Sequence, residues 1–197
     1  MAYLQPLPRN TLYLLIWIVM FGVSLAVGGS IFENFRIPTF QTSFASIWVA
    51  TILTLAKLIM GGRFTIGLIY CVASIIAVFT TYLGPSSPLK PIFIIAGLSF
   101  DLGCGFRPGP YRYWQILLGH FFSTITGFLF TWIIIYIQIP NAAFPLIPIF
   151  LVAAASHFLI CVIISYLIYH QIGTPPPPTI VKRIRDQVGV SLREKPK

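Results

Sequence analysis

Between Arg112 and Lys182 the chain carries no lysine, arginine, aspartate or glutamate. A soluble domain cannot present so long an uncharged stretch to water, whereas hydrocarbon is the solvent that such a stretch fits. One interruption, Gln138-Ile139-Pro140-Asn141, divides it into two segments, each long enough to cross about 30 Å of bilayer core. The remainder agrees: 57% of residues are hydrophobic and 9% charged, against about 25% charged in an ordinary soluble domain.

Breaking the sequence at charges, prolines and glycine clusters predicts six spans, near 11–32, 43–60, 63–83, 90–106, 114–138 and 145–170. The expected fold is therefore an all-α integral membrane protein with six transmembrane helices, forming one membrane domain over residues 1–172. Residues 173–197 are a proline spacer and a basic cytoplasmic tail, because the run Pro175 to Pro178 cannot continue a helix. The first apolar run, Asn10 to Phe32, is too long for the core of a signal peptide and is expected to remain as the first helix.

The connections are short and distinctive. Glu33 to Thr42 makes a polar and aromatic loop, Gly61-Gly62-Arg63 a tight turn that predicts an antiparallel hairpin, and Gly84-Pro85 and Pro108-Gly109-Pro110 break the chain again. With the amino terminus inside, the cytoplasmic segments hold Arg9, Lys57, Arg63, Arg107, Arg112 and six tail cations, whereas the outer loops hold Arg36 and Lys90. This asymmetry predicts that both termini are cytoplasmic, in a multi-pass protein of the cell membrane. The net charge of +9 is thus a topology signal and a headgroup-facing tail, and no nucleic-acid partner is expected.

Few residues carry chemistry. Cys71, Cys104 and Cys161 are widely separated in apolar sequence and indicate neither disulfides nor zinc. Asp101, near the inner end of the fourth span, is expected to pair with Lys57, Arg63, Arg107 or His120 in a structural cluster, a proton relay being the sharper alternative. His157, near the midplane with Ser156 beside it, is either a hydrogen-bonded core residue or a ligand-contacting, proton-accepting side chain. His120 and His170 are expected at the interfaces. No nucleophile motif, carboxylate dyad or phosphate-binding glycine loop is present, so no enzyme activity, cofactor or metal is expected.

Small residues at four-residue spacing, Gly22, Ala26 and Ser30, make a face on which helix backbones approach closely, either within the chain or against a partner. Aromatic and polar groups gather at the outer ends, among them Trp48, Tyr82, Trp132 and Tyr136; they form an interfacial belt or the wall of a ligand pocket.

The segment Met60-Gly61-Gly62-Arg63-Phe64-Thr65-Ile66-Gly67-Leu68-Ile69-Tyr70 resembles the glycine-rich entry to the third helix of the substrate-binding S components of energy-coupling factor (ECF) transporters. Leu83-Gly84-Pro85-Ser86-Ser87-Pro88-Leu89-Lys90, followed by Gly97-Leu98-Ser99-Phe100-Asp101-Leu102, is similar to that family's loop and fourth helix. The resemblance implies a membrane-embedded subunit that captures a small vitamin-like solute from outside and works with a coupling transmembrane subunit and ATPase subunits. It implies an outward-opening pocket bounded by the first loop, the loop after span three and spans four to six, with Glu33, Asn34, Arg36, Tyr82, Lys90 and His157 as substrate-binding residues. It also implies partner docking on Gly22, Ala26 and Ser30. Two other readings stand beside it: an accessory or scaffold subunit of a larger membrane complex, and an independent proton-coupled transporter depending on His157.

Overall fold

The structure, a computed structural model, describes residues 11–33, 38–80, 90–106 and 111–173. Among them are six α-helices: α1 (Thr11–Glu33), α2 (Pro38–Met60), α3 (Thr65–Thr80), α4 (Lys90–Gly103), α5 (Tyr113–Gln138) and α6 (Pro140–Ile168), the last running into a π-helical turn at Tyr169–Gly173. Three stretches are long and apolar enough to cross a membrane, Ser43–Met60, Tyr113–Gln138 and Ala143–Ile172; Leu14–Gly28, Thr65–Ala77 and Phe93–Gly103 are shorter apolar helices.

Two expected boundaries move outward. Helix α2 starts at Pro38 and α6 at Pro140, because proline in the first helical turn gives up an amide that has no helical acceptor there. Pro145 and Pro148 then lie inside α6. Each withholds an amide from the carbonyl four residues earlier. The Trp132 indole nitrogen donates to the Ala143 carbonyl in this loosened stretch, at 3.1 Å.

The helices pack as a closed circuit in the order α1, α3, α4, α5, α6, α2 and back to α1. The Gly61-Gly62 turn therefore does not produce a packed α2–α3 hairpin, since α1 is seated between those two helices. Gly61 adopts φ +61° after the last turn of α2, a left-handed conformation open to glycine, and its amide donates to the Lys57 carbonyl at 3.1 Å.

Contacts fix the directions. On α3 and α4, Gly67 meets Leu98 and Tyr70 meets Phe93; on α4 and α5, Gly103 meets Leu118 and Ser99 meets Thr126; on α5 and α6, Phe121 meets Phe158 and Trp132 meets Phe144. In each pair one number rises as the other falls, so these neighbours are antiparallel. Four residues link α1 to α2, and the five Cα steps across them reach at most about 18 Å. Helices roughly 34 Å long so joined must be antiparallel too. Ser46 reaches His157 and Thr54 reaches Ser165, both 111 positions apart, so α2 and α6 run parallel and in register. The helices thus alternate up and down, bringing Thr11 and Ile168 to the same end.

The small-residue face of α1 is covered by the chain itself. A Cβ on Gly22 would lie 2.6 Å from Val72 Cγ1, and Ala26 is buried as well. These two residues, expected in a partner-docking face, are packed inside the bundle; the Ser30 side chain lies outside the described residues. Gly28 makes room for Trp48, whose indole nitrogen donates to the Ser24 carbonyl at 3.0 Å. Outward, the helices present leucine, isoleucine, valine and phenylalanine, as hydrocarbon requires.

Candidate functional site

Two polar constructions join three or more side chains within the bundle. The first ties the C-terminal ends of α2 and α4 to the N-terminal end of α3. Lys57 and Asp101 form a fully buried ion pair, and each ion is further satisfied: Lys57 Nζ donates to the Gly62 carbonyl at 2.9 Å, and the Gly67 amide donates to Asp101 Oδ2 at 2.8 Å. Asp101 thereby serves as an anionic cap on the first turn of α3. Tyr111 donates its hydroxyl to the Gly62 carbonyl at 3.1 Å and sets its ring 4.8 Å from Lys57 Nζ.

The Asp101 main chain is occupied too. Its carbonyl accepts from Phe106 N at 3.1 Å, and the Leu102 carbonyl accepts from Gly105 N at 2.8 Å, with Gly105 at φ +88°. These two bonds close α4 in a Schellman motif. Of the four partners expected for Asp101, Lys57 is found and Arg107 lies outside the described residues; the polar atoms named here are used in holding helices together. Such an arrangement stabilises; it offers nothing to a ligand.

The second construction lies toward the opposite end of the bundle, between α2 and α6. There a cavity of about 770 Å³ is walled by Val49, Ile149, Val152, Ala153 and Ile160, with Phe128 of α5 at its back and Ser43, Ser46, Ser156 and His157 as its polar groups. His157 Nδ1 is 2.7 Å from Ser46 Oγ, its Nε2 is 3.6 Å from Cys161 Sγ, and its ring centroid is 6.2 Å from that of Phe128. The expected companion Ser156 instead shares the cavity wall, one residue along the helix and therefore turned about 100° away. With a hydroxyl on one ring nitrogen and a thiol near the other, the imidazole is held in orientation while remaining on the cavity surface.

Below it a line of side chains continues inward at one-turn spacing: Cys161 and Ser165 on α6, Thr54 on α2 and His120 on α5. Thr54 Oγ1 is 2.9 Å from Ser165 Oγ and 3.1 Å from His120 Nε2. His120, expected at an interface, is buried within the bundle, edge-on to Phe100 and bonded to Thr54 of α2. His170 is exposed near the end of α6. Among the described residues Thr124 Oγ1 is a buried hydroxyl with no partner. No three His, Cys, Asp or Glu side chains gather as a metal site would require, again among the described residues.

Of the six expected substrate-binding residues, His157 lies on the cavity. Asn34, Arg36 and Tyr82 fall outside the described residues, as do the side chains of Glu33 and Lys90, which stand at the end of α1 and the start of α4. The contribution of α2 through Ser46 and Val49 was missed by sequence reasoning. Its signal, a serine within an apolar span, does not by itself distinguish a cavity wall from helix packing. No family model matches the chain, and no curated protein and no solved structure is found to be similar to it.

Proposed function

We propose that this chain is a six-span protein of the cell membrane, with both ends in the cytoplasm, that binds a small vitamin-like solute as the capture subunit of an uptake system. The α2–α6 cavity carries this reading: about 770 Å³ falls within the roughly 300–1,000 Å³ of small-molecule sites, and a mostly apolar wall with a few convergent polar groups is their usual chemistry. His157 anchors the ligand, and Ser46 fixes the ring that does so. Alternation of the helices, together with the crowding of cations into the segments assigned inside, supports the sidedness. Because the sequence has no phosphate-binding loop, the work of transport falls to a separate ATPase with its coupling subunit. The resemblance to ECF S components supplies the ligand class and the partner class.

Purified protein screened against a vitamin panel by thermal shift tests the reading. One compound is expected to bind with submicromolar affinity, so that at a hundredfold excess over Kd it stabilises by about 2.7 kcal/mol. His157→Ala is expected to abolish that shift. A panel without any shift, or a shift that survives the substitution, overturns the assignment.

A further inference from the structure

The cavity's mouth and its charge together define what enters. Ile149 and Val152 on its rim are 63% and 67% exposed, and they adjoin Leu151 and Leu159, at 66% and 60%, on the bare surface of α6. In a membrane that surface is bathed by acyl chains, so the cavity opens through the side of the bundle into hydrocarbon. Among the described residues no lysine, arginine, aspartate or glutamate lines it. An ionised ligand there would shed its hydration without a counter-charge, which is prohibitive in an apolar site. Two of its four polar groups, His157 and Ser46, meet at 2.7 Å, and Val49, Ile149, Val152, Ala153 and Ile160 supply aliphatic wall.

We infer that the cavity takes an uncharged lipophile with a single hydroxyl or carbonyl head, drawn laterally from the bilayer, its head at His157 and its body along Val49, Val152 and Ile160. The inference rests on the proposed reading of this cavity as the ligand site and narrows its substrate class. Ser46 sets the head-binding nitrogen by engaging Nδ1, which leaves the Nε2 side, shared with the weak sulfur partner Cys161, as the face a head group can compete for.

The test uses the full chain in phosphatidylcholine vesicles and octanol carrying a diazirine, with adducts mapped by mass spectrometry after photolysis. Labelling is expected to concentrate on residues 43–49 and 148–160. His157→Leu should weaken apparent affinity about tenfold, the loss of one buried hydrogen bond. Val152→Trp, which fills the mouth from a lipid-facing position, should abolish labelling while the protein stays monodisperse. The diazirine-bearing octanoate anion should label little. Adducts spread evenly over all lipid-facing helices and indifferent to His157→Leu would show an ordinary acyl-chain contact and overturn the inference, as would equal labelling by the anion. A water-soluble vitamin that shifts the wild type but not His157→Ala, with the cavity unlabelled by the alcohol, sinks this inference and leaves the capture reading intact. Specific labelling without any vitamin shift does the reverse.

Discussion

The Lys57–Asp101 pair is the most exacting test of the packing described. Both side chains are fully buried. The attraction between them has to offset the loss of two hydration shells, and deleting one partner strands the other; such single deletions cost about 3–5 kcal/mol. Lys57→Met keeps the volume but leaves the Asp101 carboxylate without its cation, facing the Ile66 amide and the Gly67 amide. Asp101→Asn keeps an acceptor for that amide yet leaves the Lys57 ammonium with the Gly62 carbonyl and the Tyr111 ring. Taking about 2–4 °C per kcal/mol for a chain of this size, each single variant should melt roughly 6–20 °C lower in detergent, read by size-exclusion chromatography after heating. The double variant buries no charge and should recover part of that loss, with a coupling energy of about 2 kcal/mol. If the two losses simply add to within about 0.5 kcal/mol, the ions are not paired in the folded protein and the account of this three-helix junction fails.

Three further outcomes follow from the same geometry. Thr124→Val should raise stability by about 1 kcal/mol, since it removes a buried hydroxyl without a partner; a lower melting temperature would mean that the hydroxyl is used. Gly103→Ala places a methyl 2.5 Å from the Leu118 carbonyl oxygen, main chain that cannot step aside, and should disrupt α4–α5 packing, whereas Gly127→Ala meets nothing within 4 Å and should be neutral or gain about 0.5–1 kcal/mol; equal yields and melting temperatures for the two would contradict the close approach. Cysteines introduced at Tyr3 and Val190 in a cysteine-free background should both resist a membrane-impermeant maleimide in intact cells and both react after lysis, and labelling of one end alone would remove the six-span topology.

The positions of the helices were legible because charges, prolines and glycines mark where an apolar run ends. The Gly61 break and the Gln138 to Pro140 break fall where expected, and the early starts at Pro38 and Pro140 differ for a local reason, the tolerance of proline in a first turn. Neighbour relations were far less legible. Nothing in a single sequence says that Trp48 will lean on Gly28 or that α1 will part α2 from α3. The Asp101 partner was narrowed to four by span depth, and the choice of Lys57 depends on helix rotation, which apolar spans with little amphipathic bias do not encode. His157 was visible as a rare polar residue at depth. Its true partner, 111 positions away, was not, because a hydroxyl at the right height on a neighbouring helix is indistinguishable from a packing serine until the circuit of helices is known.

Asp101 closes one helix with its main-chain oxygen and opens another with its carboxylate, while Lys57 rivets a third to the same point. Three helix ends joined through a single residue cannot tilt independently, so this end of the bundle behaves as a stator. Freedom is left to the far stretches of α2 and α6, which share the Thr54–Ser165 bond and, about two turns beyond it, the Ser46–His157 bond. A guest entering above that hinge point would spread two parallel staves and leave the base of the barrel undisturbed.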